Sequence, residues 1–256
     1  MYPTIFRIGW FELSSFGVMV GLGLLVAAWL TARAFEDDGL SGEAAWRALT
    51  WCIVGGLLGS KLWFVAEQMA RYPGSTALDH LLSRAGLTWY GGLLGGAIAA
   101  YLGLRANGIA ALRGFNAAAP GMALGHAIGR LGCLLVGDDY GRATDVPWAI
   151  AFPQGTPPTE IPVHPTMVYE TLWLLPTALW LWNRRARSPF LIGEYLILAG
   201  AGRFWIELLR TNPSVLGPLS NAQVFAAALV LIGAASWLYL WRGERLKSRS
   251  PKSGAG

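Results

Sequence analysis

Charged side chains are scarce: Asp, Glu, Lys and Arg together make up 14% of the 256 residues. A soluble domain carries roughly 25%, so water is excluded as the solvent for most of this chain's surface. Cysteine is nearly absent, and Cys52 and Cys133 each lie inside an apolar stretch, which excludes a disulfide framework as the source of stability. The net charge of +5 is not gathered into a patch. Its basic residues are scattered through short segments and a C-terminal cluster of Arg242, Arg245, Lys247, Arg249 and Lys252, so nucleic acid is not an expected partner. No internal period of roughly 20 to 50 residues and no inverted repeat of hydropathy stand out, which weighs against a solenoid and against a secondary transporter. No polar mature domain follows the first apolar run, so that run is expected to be an uncleaved helix and not a signal peptide.

What is abundant is apolar: 54% of residues are hydrophobic, the mean hydropathy is +0.43, and there are 13 tryptophans. The expected fold is an all-α integral membrane protein of about seven transmembrane helices. Windows able to span a hydrocarbon core of about 30 Å run approximately from Phe16 to Ala34, Trp46 to Val65, Trp89 to Leu104, Ala117 to Val136, Val168 to Trp182, Leu191 to Leu209 and Val224 to Trp241. Turn-forming breakers separate them. Trp10, Trp46, Trp89, Trp182 and Trp241 sit near the window ends, where amphipathic rings settle at headgroup depth. Residues 1–241 read as one polytopic domain, and 242–256 as a basic, disordered cytoplasmic tail.

Seven spans place the termini on opposite sides of the membrane. With the C-terminus inside, the inner segments hold Arg33, Arg47, Arg105, Arg113, Arg184, Arg185, Arg187 and the basic tail. The outer ones keep Arg7, Arg71, Arg84, Arg142 and Arg210. Because positive charge stays inside, the N-terminus is expected out and the C-terminus in. The Pro-rich loop 137–165 is then a small extracytoplasmic cap.

Arg130 falls inside the fourth window, where a guanidinium costs roughly 2.5 to 3.5 kcal/mol on insertion scales, and intramembrane charges are functional by default. It precedes the window's outer end by about six residues, or roughly 9 Å, and Arg203 lies at a similar depth in the sixth window. His126, Arg130 and Cys133 share one face of the fourth helix, while Arg203 and Glu207 share one face of the sixth. Asp138, Asp139 and Arg142 open the cap. His164, Tyr169 and Glu170 open the fifth helix and Tyr90 the third, so topology alone gathers polar residues at one outer pocket. A pair of arginines at headgroup depth suits a phosphodiester, with carboxylates as bases or orienting groups. The same charges would also serve as a buried ion-pair network holding helices together. Gly91 and Gly92, in the run Tyr90 to Gly96, fit either close helix packing or a substrate. Asp138 and Asp139 make an incomplete oxygen shell, so no metal is expected.

The segment GRLGCLLVGDDYGR, Gly129 to Arg142, resembles the signature of the prolipoprotein diacylglyceryl transferases. WYGGLLGG, VHPTMVYE (Val163 to Glu170) and GRFWIELLR (Gly202 to Arg210) extend that resemblance over most of the chain in the family's order. It implies a bacterial plasma-membrane enzyme, free of cofactors, that moves the diacylglyceryl group of phosphatidylglycerol onto the lipobox cysteine of a prolipoprotein signal peptide. The product is a thioether, and glycerol phosphate leaves. The partners implied are membrane lipids, phosphatidylglycerol above all, and the prolipoprotein. By position, Arg130 matches the family's signature arginine, Asp138 its glutamate and Gly141 its glycine, and Arg203 and Glu207 match the later pair.

The chain departs from the pattern where Tyr90 replaces a histidine favoured as base, Cys133 an asparagine, Phe16 a tyrosine and Ala199 a tyrosine. The expected catalytic set is Arg130, Asp138, Arg203, Glu207 and Tyr90. The expected substrate-binding set is Arg130, Arg203, His126, Asp139, Gly141, Arg142, His164, Tyr169, Glu170, Gly91 and Gly92. The departures keep two alternatives open: a related lipid-headgroup transferase with another acceptor, and a non-catalytic phospholipid-binding protein.

Overall fold

The structure is a computed structural model that describes residues 3–9, 11–83, 86 and 88–249. Trp10, Arg84 and Lys252 lie outside the described residues, as do the side chains of Trp241, Arg242, Arg245, Lys247 and Arg249. The chain forms two compact units, one of Met1–Leu30 with Phe115–Gly256 and one of Thr31–Gly114.

Seven long helices coincide with the seven apolar windows: α1 (Ser15–Asp37), α2 (Gly42–Arg71), α4 (Trp89–Ala106), α5 (Ala111–Val136), α6 (Thr166–Arg184), α7 (Leu191–Glu207) and α8 (Asn221–Arg249). Four of them, α1, α2, α5 and the Asn221–Leu240 part of α8, are long and apolar enough to cross a membrane. The fold is thus that of an all-α membrane protein. Large apolar side chains face outward throughout, among them Leu57, Leu62, Leu172, Leu179, Leu231 and Ile232, all more than half exposed, which is stable only where the solvent is hydrocarbon. α8 continues as helix through Arg249, into the segment expected to be a disordered tail. The periodicity also gave no sign of the short helix α3 (Ala77–Leu82) or of three antiparallel hairpins, β1–β2 (Thr4–Ile8, Phe11–Ser14), β3–β4 (Ile150–Phe152, Thr159–Val163) and β5–β6 (Ser214–Leu216, Leu219–Ser220). These strands are two to five residues long, too short to print an alternating pattern.

In the Thr31–Gly114 unit, α2 and α4 pack through facing glycines, because lipid offers no hydrophobic drive and helices associate by close van der Waals contact. A methyl group on Gly95 would lie 2.9 Å from the Gly59 Cα, and one on Gly59 would lie 2.8 Å from the Gly95 Cα. At one end of the pair the Ser60 hydroxyl donates to the Thr88 carbonyl at 2.6 Å, and the Thr88 hydroxyl returns a bond to the Ser60 carbonyl at 3.1 Å. Helix α3 is closed by a capping box between Thr76 and Asp79.

In the other unit, α5 is the organising element. Gly121 and Gly125 meet Ala27 and Gly23 of α1 backbone to backbone. Ala119, Ala123 and Ala127, four residues apart, form a stripe that packs with Leu174, Ala178 and Leu181 of α6 and with Leu191, Tyr195 and Ala199 of α7. Small side chains at that spacing let three helices approach closely. At the far end of α5 the cap is seated on the helices by a second cluster of Cys133, Phe152, Val163 and Met167, with Tyr140 stacked on Phe152 at 5.5 Å. This seating carries residues 137–142 over the ends of α5 and α6.

The α2–α4 contact is testable by a matched pair. Gly95→Ala is expected to cost about 1–3 kcal/mol by overpacking and to lower the thermal transition in detergent by several degrees. Gly56→Ala, whose methyl would sit 3.5 Å from its nearest neighbour, is expected to be near neutral. Equal transitions for the two variants would contradict the glycine contact.

Candidate active site

Three elements of the Phe115–Gly256 unit and its cap bring six charged side chains into a closed ring of alternating sign. Arg130 of α5 pairs through Nε with Glu170 Oε2 at 2.5 Å. The other oxygen of Glu170, on α6, accepts from Arg203 Nη1 of α7 at 2.6 Å. Arg203 Nη2 lies 3.0 Å from Glu207 Oε2, one turn along α7. Glu207 Oε2 is 3.5 Å from Arg210 Nε, just past the end of that helix. Arg210 Nη2 donates to Asp139 Oδ1 of the cap, and Asp139 Oδ2 closes the ring by accepting from Arg130 Nη1 at 2.8 Å. Three guanidiniums face three carboxylates, so the ring is formally neutral. That balance makes its burial affordable in an apolar bundle.

Local structure explains how each member is held. Arg203 and Glu207 stand one turn apart on α7, and Arg210 follows in the turn beyond the helix, its N–H donating to the Glu207 carbonyl at 3.0 Å. Glu207, 1% exposed, is further fixed by donation to its Oε1 from Asn212 Nδ2 and from the Ser220 hydroxyl, each at 2.7 Å. The Thr166 hydroxyl donates to the Asp139 carbonyl at 2.5 Å, pinning the cap backbone to the start of α6. Asp139 itself adopts φ +59°, a left-handed conformation in which Asp is tolerated better than most residues. Gly141 allows three segments to meet: its N–H donates to the His164 carbonyl at 2.8 Å, and a Cβ there would lie 2.6 Å from the Leu209 carbonyl oxygen.

The two cap carboxylates are electrostatically opposite. Burial alone would push the Asp139 carboxyl up, but the hydrogen bond and charge of Arg210, joined by Arg130, hold it well below the usual carboxylate range. Burial raises the Asp138 carboxyl, and the neighbouring Asp139 charge adds to this, against the lowering effects of a bond to Cys133 and of the Arg130 and Arg210 charges. Asp138 Oδ1 is buried with no hydrogen-bond partner among the described residues.

The remaining expected residues fall into groups. His126 lines a small cleft with Glu170, Trp173, Leu174, Ala199, Gly202, Arg203 and Ile206, beside the ring. Cys133 is 5% exposed and accepts from Arg130 Nη1 at 3.7 Å. His164 Nδ1 lies 3.1 Å from the Tyr169 hydroxyl, which also accepts from the Trp148 indole N–H at 2.7 Å, so these two residues brace the cap outside the ring. Arg142 joins through its backbone, donating to Leu209 and accepting from His164, while its side chain is exposed. Tyr90, Gly91 and Gly92 belong to α4 in the other unit. There Tyr90 stands edge-on to Trp89 at 5.3 Å, and the Gly91 backbone meets Gly59 and Trp63 of α2. They are not members of the ring.

Cys133, Asp138 and Asp139 are the described residues whose ligand atoms cluster closely enough, within 4.8 Å, to hold a metal ion. Asp139 is already committed to two arginines and Cys133 to one, so this donor set suits a cation poorly. Sequence reasoning missed Arg210 as a site residue, counting it only as an outer charge. Its spacing of three from Glu207 was the available signal. Thr166, Asn212, Ser220 and Trp148 carried no signal beyond residue type.

A helical membrane protein with a buried, neutral ring of arginines and carboxylates at the cap end of its helices is the class these features define. The prolipoprotein diacylglyceryl transferase family model matches residues 3–239. Among curated relatives named phosphatidylglycerol–prolipoprotein diacylglyceryl transferase, that of Gloeobacter violaceus is 30% identical over 96% of this chain and 94% of its own length. The Acaryochloris marina protein of that name is 32% identical over 93% and 91%, and the Clostridium tetani one 28% over 91% and 95%. The chain belongs to the prolipoprotein diacylglyceryl transferase family.

Glu170, 4% exposed, bridges Arg130 and Arg203, so its loss leaves two buried guanidiniums short of a counter-charge. Glu170→Gln is expected to cost about 3–5 kcal/mol, read as a large fall in the thermal transition. Asp138→Asn removes a carboxylate that forms no ion pair among the described residues and is expected to change stability far less. A Glu170→Gln protein as stable as wild type would refute the ring as a structural unit.

Proposed function

We propose that this chain transfers the diacylglyceryl group of phosphatidylglycerol to the thiol of a prolipoprotein's lipobox cysteine, the first step of bacterial lipoprotein maturation. The observation that carries this reading is the arginine–carboxylate ring, set among apolar helices in a member of this family. The cysteine sulfur attacks the glyceryl carbon bonded to the phosphate oxygen. A C–S thioether bond forms, the C–O bond breaks with its electron pair going to oxygen, and glycerol phosphate departs. Arg130 and Arg203 supply the fixed positive potential in which the phosphate binds and in which negative charge grows on the leaving oxygen.

The thiol must first lose its proton, because the thiolate is the nucleophile. Of the candidates, Glu207 is already engaged by two arginines, Asn212 and Ser220. Asp138 is free of such pairing, and its carboxyl is shifted upward toward the pH at which a general base works best. We assign that role to Asp138. Tyr90, on α4 in the Thr31–Gly114 unit, is not assigned this role.

The same reading places the protein in the bacterial plasma membrane with all seven long helices spanning, the N-terminus and the cap outside, and the basic C-terminal segment inside. The charge asymmetry supports this orientation, and the ring at the cap end of α5 and α7 then lies just below the outer headgroups. Residues 1–241 act as one membrane domain.

The test is release of glycerol phosphate from head-labelled phosphatidylglycerol by the purified protein, given a lipobox peptide with either cysteine or serine. Release with the cysteine peptide alone is expected. Donor consumption regardless of peptide would point to another acceptor, and binding without release to a lipid-binding protein. Arg130→Lys, which keeps charge but loses the bidentate fork, is expected to lower turnover by about 10²–10³-fold in protein that still inserts and folds. Near-normal turnover in that variant would remove Arg130 from the mechanism.

A further inference from the structure

We propose that the pair Arg130 and Arg210 is the phosphate subsite, and that Asp139 is its built-in counterion, displaced when a phosphodiester enters. The proposal takes the donor lipid from the reading above, while the subsite chemistry fits any phosphate ester.

Three carboxylates already neutralise the three guanidiniums, so a phosphate enters without adding uncompensated charge only if one carboxylate gives way. Exposure decides which. The Glu170 and Glu207 side chains are 4% and 1% exposed, whereas that of Asp139 is 39% exposed. Glu170 bridges two arginines from a helix, and Glu207 is tied to Asn212 and Ser220 as well. Asp139 stands on the cap loop and can turn into water. Its carbonyl is pinned by Thr166, so leaving requires only rotation of the side chain about its own bonds.

The geometry at Asp139 already imitates the proposed ligand. Its two oxygens reach two different guanidiniums, Oδ2 to Arg130 and Oδ1 to Arg210, as the two non-bridging oxygens of a phosphodiester would. Arg210 has donors to spare. Its side chain is 7% exposed; Nη1 is buried without a hydrogen-bond partner among the described residues, and Nε faces Glu207 Oε2 at 3.5 Å without forming a hydrogen bond. A buried donor left unmade is costly, and a phosphate has more acceptor oxygen than the carboxylate it replaces. Exchange of one anion for another also keeps the ring neutral, whereas adding a phosphate beside Asp139 would not. Arg203, with both its carboxylate partners buried, then acts from behind the subsite, adding its positive potential to that of Arg130 and holding Glu170 and Glu207 in place.

The experiment compares the full chain in detergent micelles with Asp139→Asn and Arg210→Lys, using two probes: inorganic phosphate, by shift of the thermal transition, and phosphatidylglycerol, by its KM in the release assay. Asparagine tolerates the left-handed backbone at this position and removes the competing charge. Asp139→Asn is expected to lower the half-saturating phosphate concentration and the phosphatidylglycerol KM by about tenfold, and Arg210→Lys to raise both by a similar factor. Unchanged or weaker binding of both probes by folded Asp139→Asn would overturn the proposal. Tightening toward inorganic phosphate alone would also overturn it, by assigning the pair to a free anion. If Asp139→Asn does not fold, Arg210→Lys decides, and affinities within twofold of wild type overturn the subsite. Phosphate binding that responds to both variants, in a protein that releases no glycerol phosphate with the cysteine peptide, would uphold the subsite and refute the transfer reading. Cysteine-dependent release with both variants unchanged would do the reverse.

Discussion

A guanidinium inside an apolar bundle is tolerated only while its charge is matched, and the closed ring of Arg130, Glu170, Arg203, Glu207, Arg210 and Asp139 is how this protein matches three of them. Each carboxylate serves two arginines and each arginine two carboxylates. Removing any one member therefore leaves two opposite charges short of a partner, in surroundings where water cannot supply the difference. The ring also ties α5, α6, α7 and the cap to one another, so the groups proposed to do chemistry are the same groups that set the geometry.

The helices can support such a ring because their packing is made from small side chains. The alanine stripe Ala119, Ala123 and Ala127 brings α6 and α7 against α5, and the close approach of Gly121 and Gly125 to α1 occupies another face of α5. With backbones this near, Arg130, Glu170 and Arg203 meet at 2.5 and 2.6 Å without reaching. The cap, seated by Phe152, Val163 and Met167 on the helix ends, then delivers Asp139 to the ring and Asp138 beside it. One of these neighbouring carboxyls is held ionised by arginines, and the other is raised by burial. Two residues of one type, adjacent in sequence, are thereby given opposite electrostatic character by what surrounds them.

The apolar windows read from the chain reappear as helices with ends shifted by a few residues, because a span of hydrocarbon demands a long unbroken run that composition reveals directly. The hairpins and α3 were not legible, since strands of two to five residues and a six-residue helix are too short for a period to register. In the site, Arg203 with Glu207 was legible because the two are one turn apart, and the start of the cap at Asp138 and Asp139 was placed above Arg130 without saying which of them it meets. Glu170 as the bridge between Arg130 and Arg203 was visible only as one polar residue among several at that end.

Sequence by itself determined the solvent, the seven long helices, the family and the helix faces on which most of the charges lie, since these depend on composition, periodicity and local spacing. Tertiary structure decided which charge meets which. It made Arg210 a ring member where its place beyond the sixth window suggested only an outer charge, set His164 and Tyr169 bracing the cap with Trp148, and gave Gly91 a packing role against α2. The physical reason is that ion pairing acts over a few ångströms, and the helices that bring Glu170 to Arg203, or Arg210 to Asp139, are separated along the chain by distances that no local pattern encodes.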